Sequence, residues 1–163
     1  MIRRLAPPLV ALLLAAGCGI QPTGVVPAGS GPYLNKQSAG RVSLYFLRGG
    51  KLAPVLRFTG SSREVGPQNV LAALFAGPTA QERAEGYSSL LPTGQIFSAV
   101  DTTSTPVTVR VPTALPDDVP ARLGQVVCTT IAALVAGGRS VGSAGVDVVA
   151  IGTTYHNRTC RSA

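Results

Sequence analysis

His156 is the only histidine in the chain, and so the only imidazole that could act as a general base. A Ser-His-Asp hydrolase would need it beside a nucleophile, and the sequence has no G-x-S-x-G turn. It sits in a polar stretch, YHNRTC, beyond the last apolar run, where a solvent-exposed histidine is expected. Asp and Glu together number seven, a small pool for a glycosidase-type carboxylate pair. Asp117 and Asp118 stand where a helix should begin, Glu82 where a capping box needs it, and Asp147 on the outward side of a strand. No catalytic residue is assigned. With one histidine and no CxxC spacing, no metal set and no cofactor site is expected. That leaves the chemistry of three cysteines, Cys18, Cys128 and Cys160.

Cys18 closes a distinctive segment. Arg3 and Arg4 precede an apolar run over residues 9–16. That run is shorter than the ~20 residues a spanning helix requires. Ala15, Ala16 and Gly17 follow, directly before Cys18. The segment resembles the signal peptide and lipobox of bacterial lipoprotein precursors. The resemblance implies removal of residues 1–17, acylation of Cys18 with palmitate-type chains, and a place on the extracytoplasmic face of the cell membrane. Each buried methylene of such an anchor adds ~0.8 kcal/mol. An ordinary secretory signal with a chance cysteine is the plainer alternative.

Export bears on the other two thiols. Cys128 and Cys160 are then an even pair in an oxidising compartment. Paired, they would contribute about 3–4 kcal/mol in the chain-entropy picture. Two free buried thiols are the alternative.

Composition excludes several classes. Charged residues are only 13% of the 163, too few for a disordered chain. The net charge of +7 falls by two without Arg3 and Arg4, and what remains is scattered. No Lys/Arg run and no aromatic-interleaved basic motif is present, so nucleic acid is not an expected partner. Aromatics are 5% and Trp is absent, which argues against a stacking platform for sugars.

The elements that must position these residues can be read along the chain. Residues 18–40 are rich in Pro and Gly and read as a tether. Residues 41–48 alternate with Val42, Leu44 and Phe46 on one face. Gly49 and Gly50 turn the chain into a partner strand over 52–58, whose Pro54 suits an edge. A helix over 67–76 starts at Pro67 and presents Val70, Leu71, Leu74 and Phe75. Gly77 and Pro78 stop it, and Thr79 with Glu82 form a capping box for a short second helix. Residues 95–101 and 106–112 read as an antiparallel pair. Residues 119–136 form the longest helix, with Asp117 and Asp118 at its positive end. Its apolar stripe runs through Val119, Leu123, Val126, Val127, Ile131 and Leu134. Cys128 falls about half a turn off that stripe, where a returning tail could meet it. A last strand over 145–151 precedes a tail, 153–163, that carries Cys160. The expected fold is α+β, two-layered, with a mostly antiparallel sheet of about five strands and two main helices packed on it.

The run from Leu74 through Gly77, Pro78, Thr79 and Glu82 to Gly86, then Leu91, Pro92 and Gly94, resembles the signature of the GerMN domain, named from a spore germination and sporulation protein. VSLYFLRGGKLAPVLR before it and QVVCTTIAAL after it also fit, so the resemblance spans about residues 41–152. It implies an α+β fold similar to ring-building motifs of envelope assemblies and no catalysis. Gly77, Pro78, Thr79, Glu82, Pro92 and Gly94 would be architectural.

Arg41, Arg48, Lys51, Arg57 and Arg63 cluster around the first hairpin. One reading is an anion-facing surface for phospholipid heads, wall polymer or an acidic partner. The other is charge placed to block edge-to-edge pairing. The expected function is a membrane-anchored, non-enzymatic interaction module in envelope assembly or signalling, partnered by an envelope protein or by itself. The alternative is a wall-polymer-binding accessory of a wall enzyme.

Overall fold

Alternation over 41–48 becomes strand β1 (Arg41–Arg48), which pairs in antiparallel register with β2 (Lys51–Phe58) from Arg41↔Phe58 to Arg48↔Lys51. The computed structural model describes residues 40–58, 66–94, 97–116 and 118–161. Cys18, the tether up to residue 39, Arg63 and Asp117 lie outside the described residues. Gly49 and Gly50 take φ of +59° and +79°. Positive φ at both positions is what a two-residue hairpin turn needs to match the strand twist.

Helix α1 (Pro67–Phe75) buries Val70, Leu71, Leu74 and Phe75. The short α2 (Ala80–Ala84) follows, then β3 (Tyr87–Ser88), which pairs with the end of β1 to give the sheet order β2-β1-β3. Pro54 therefore lies on an edge strand, as its missing donor requires.

A second sheet has the order β4-β5-β6-β7, from β4 (Ala99–Asp101), β5 (Val107–Arg110), β6 (Val146–Ala150) and β7 (Thr153–Arg158). Strands β5 and β6 are parallel, so they need a long crossover, and α3 (Pro120–Ala136) supplies it. The fold is α+β, with seven strands in two sheets rather than about five in one. Strand β4 starts later than the expected 95; residues 95–96 lie outside the described ones.

The tail expected over 153–163 is corrected most. Thr153–Arg158 is a strand on β6, and the folded unit runs past residue 152. Only Tyr155 of this strand is buried, and its hydroxyl donates to the Leu115 carbonyl. Asp118, expected at the positive end of the longest helix, does not cap it. Val119 is the N-cap, without a side-chain cap, and Asp118 is exposed.

Helix α3 packs against β1, β2, α1 and β6. That explains why more of it is buried than one stripe, including Gln125, Thr129 and Thr130. Two of these polar groups do the work of a strand. Strand β3 covers only the last two residues of β1, which leaves Tyr45 without a strand neighbour on that side among the described residues. Thr129 Oγ1 accepts the Tyr45 N–H at 2.9 Å, and Gln125 Nε2 donates to its carbonyl at 3.3 Å. Gln125 Oε1 also accepts from Leu90 N at 2.9 Å. A helix face thus satisfies backbone groups that would otherwise be buried and unpaired. One apolar cluster joins both sheets and the two long helices. Among the described residues no helix is long and apolar enough to cross a membrane.

Candidate functional site

Charge is used in two ways in this fold. At the corner over residues 77–82, Gly77 (φ +81°) ends α1 and Thr79 opens α2. The capping box is complete: Thr79 Oγ1 accepts Glu82 N at 3.2 Å and Glu82 Oε2 accepts Thr79 N at 2.7 Å. Arg57 reaches over from β2 and locks it. Its Nε donates to Glu82 Oε1 at 2.9 Å, and its Nη1 and Nη2 donate to the carbonyls of Ala73 (3.3 Å) and Gly77 (3.0 Å). Its guanidinium lies 5.3 Å from the Phe46 ring centroid. The Arg57 guanidinium holds the Glu82 carboxyl below its ordinary value, opposed by partial burial and aided by the Thr79 N–H. Gly94 N donates to the Phe75 carbonyl at 3.3 Å, which ties the loop carrying exposed Pro92 back to the end of α1.

Arg57 therefore leaves the proposed anion-facing set, because its guanidinium is committed to Glu82, two carbonyls and the Phe46 ring inside the domain. Among the described residues, the rest of that set does not form one patch. Arg41 and Arg48 stand at opposite ends of an eight-residue strand, roughly 23 Å apart at ~3.3 Å per residue. Arg48 stacks over Tyr87 at 5.3 Å. Only Lys51 of the described members joins a concave feature.

That feature is a cleft of about 360 Å³ where three elements meet. The hairpin turn and the start of β2 give Gly50, Lys51 and Leu52; the first turns of α3 give Pro120, Leu123, Gly124 and Val127; the end of β7 gives Arg158 and, just beyond it, Arg161. Its floor is aliphatic and its rim carries three cations. None of Lys51, Arg158 and Arg161 has an acidic partner among the described residues. Arg158 rests on the Tyr155 ring at 5.4 Å.

The cleft exists because the segment from His156 to Cys160 is pinned. Cys128 of α3 is bonded to Cys160, 32 positions later. Cys128 is buried, outside the main apolar cluster, on the side of the helix that the returning segment covers. Asp147 on β6 supplies the second pin. Its Oδ1 accepts Asn157 N at 2.8 Å and its Oδ2 meets His156 Nδ1 at 3.0 Å. The Asn157 N–H first, then His156, hold the Asp147 carboxyl below its usual range. Gly145 is the third: a Cβ there would overlap the Arg158 carbonyl, so only glycine admits β7 so closely.

His156 lies on β7 rather than in a tail, still 69% exposed, and its partner is Asp147. No hydroxyl is bonded to its other ring nitrogen among the described residues. Nor do three His, Cys, Asp or Glu side chains converge among those residues. Arg158 and Arg161 are the functional candidates that sequence reasoning passed over. The available signal was their position astride Cys160: once Cys160 is paired to Cys128, both arginines must lie along α3. No protein-family model matches the chain, and no curated protein and no solved structure matches it either.

Proposed function

We propose that this chain is a lipid-anchored, extracytoplasmic binding module of GerMN type, working without catalysis in envelope assembly or signalling. The observation that carries the binding reading is the cleft. Around an aliphatic floor, Lys51, Arg158 and Arg161 meet no acid among the described residues, whereas Arg57 and Glu82 neutralise each other inside the domain. A disulfide that builds one wall suits an oxidising compartment. Arg3 and Arg4, the short apolar run and Cys18 support anchoring at the membrane's outer face. The GerMN reading rests on the resemblance of the run from Leu74 to Gly94, within which Thr79 and Glu82 form a capping box. Its partner is an envelope component, a protein or a second copy of the chain.

Two measurements test this. Cys18→Ser should release the protein from membranes or leave uncut precursor; unchanged fractionation with normal processing contradicts the anchor. Crosslinked capture from intact cells should recover a protein partner with the parent chain and lose it with Lys51→Gln/Arg161→Gln. Equal recovery with both chains contradicts the cleft as the docking site. The second reading, a wall-polymer binder, is favoured by the cationic rim alone. Sedimentation of purified protein with isolated cell wall, in the absence of other proteins, would support it.

A further inference from the structure

We infer that the cleft takes an anionic amphiphile: a ligand with one phosphate-type head and one alkyl portion. This rests on reading the cleft as a binding site and is independent of how the chain is anchored. The volume of about 360 Å³ lies at the small end of the range for ligand sites, roughly 300–1,000 Å³. A site of that size accepts a head group and a short apolar segment, not the length of a polymer.

The lining selects the chemistry. Lys51 lines the cleft from the hairpin side and Arg158 and Arg161 from the β7 side, which places cationic side chains on two of its walls. Arginine suits a multi-oxygen anion because its planar fork bonds two oxygens at once. The uncapped first turn of α3 forms the third wall and adds a positive end. Below the rim, Leu52, Leu123 and Val127 offer aliphatic surface. Among the described residues no aromatic ring lines the cleft, so they provide alkyl contact rather than the stacking surface that sugar rings favour. Neither half explains the other. A plain anion has no use for the leucines, and a neutral alkyl group has none for the arginines.

Gly124 separates the two halves experimentally. A Cβ at this position would meet Leu52 Cδ1 at 2.6 Å. That atom is the end of a movable side chain, so Gly124→Ala displaces Leu52 and alters the floor while leaving the rim in place.

The experiment uses the full chain carrying Cys18→Ser, so that no attached acyl group competes. Calorimetric titration compares octyl phosphate below its micelle concentration, inorganic phosphate and octyl glucoside. Octyl phosphate should bind one per chain. Inorganic phosphate should bind about tenfold or more weakly, and octyl glucoside weaker still. Lys51→Gln/Arg161→Gln should cut octyl phosphate affinity about tenfold or more with the melting temperature unchanged, and Arg158→Gln should act in the same direction. Gly124→Ala should weaken octyl phosphate and leave inorganic phosphate alone. Equal binding of octyl glucoside overturns the anionic half. Equal binding of inorganic phosphate, or indifference to Gly124→Ala, overturns the amphiphile. Absence of octyl phosphate binding while partner capture still depends on Lys51 and Arg161 overturns this inference and leaves the binding-module reading standing.

Discussion

The corner at residues 77–82 and the cleft beside β7 both hold arginine next to a helix terminus, and they use it differently. In the corner, Arg57 meets a carboxylate, two carbonyls and a ring, and is 19% exposed. In the cleft, Lys51 and Arg161 are exposed and meet no acid among the described residues. Desolvating a charge is costly unless partners compensate, so the corner arginine is bonded to internal partners rather than held ready for a ligand. The cleft cations keep their hydration until something anionic displaces it. Whether a basic residue is structural or available is decided by what the fold places against it, not by its position in a sequence cluster.

The largest effect should come from the disulfide, on which the cleft wall depends. Replacing Cys128 and Cys160 with Ser should cost about 3–4 kcal/mol by chain entropy, read by urea denaturation. It should also free the segment bearing Arg161 and weaken octyl phosphate binding in the fraction that stays folded. Arg57→Ala comes next. It leaves Glu82 and two carbonyls without their donor, and should cost about 2–4 kcal/mol in the same assay. The pH dependence follows from Glu82, whose pKa Arg57 holds below its ordinary value of 4.5. Its contribution is fully present above that value, and is lost as pH falls through the lower folded-state pKa. The stability difference between parent and Glu82→Gln should therefore shrink on acidification from pH 6 towards pH 3; a difference that stays constant contradicts the pairing.

Smaller effects sharpen the contrast. Thr79→Ala removes one half of the capping box and should cost about 0.5–2 kcal/mol, with binding at the cleft unaffected. Loss of binding without loss of stability would move that corner from architecture to recognition. Lys51→Gln and Arg161→Gln should each shift stability by no more than about 0.5 kcal/mol, because they give up no internal partner.

Much of this fold was legible because local signals agreed with the tertiary structure. Gly49 and Gly50 between alternating strands gave the hairpin, Pro67 and the Val70–Leu71–Leu74–Phe75 stripe gave α1, and Thr79 with Glu82 gave the capping box. Cys128 was placed off its helix stripe, and the disulfide meets it there. What was missed depended on contacts remote in sequence. Strand β7 hides in TTYHNR because only Tyr155 faces the core and the other positions face solvent. β3 is two residues long and carries no periodicity. Gln125 and Thr129 look like a flaw in an apolar helix until the side of Tyr45 away from β2 is seen to lack a strand neighbour among the described residues. Arg57 looked like one of five surface cations because its partners lie 16 to 25 positions away. The cleft needed the disulfide and the β7 pairing together before Arg158 and Arg161 could be placed beside Lys51.

The division of charge between corner and cleft is tested most directly by one paired measurement on the Cys18→Ser chain. Thermal melting and octyl phosphate affinity are determined for Arg57→Gln and for Lys51→Gln/Arg161→Gln. Arg57→Gln should melt roughly 5–15 °C lower and, well below that temperature, bind as the parent does. The double variant should melt with the parent and bind about tenfold or more weakly. If Arg57→Gln instead loses binding while folded, or the double variant loses stability while binding normally, the assignment of structural and ligand-facing charge is reversed.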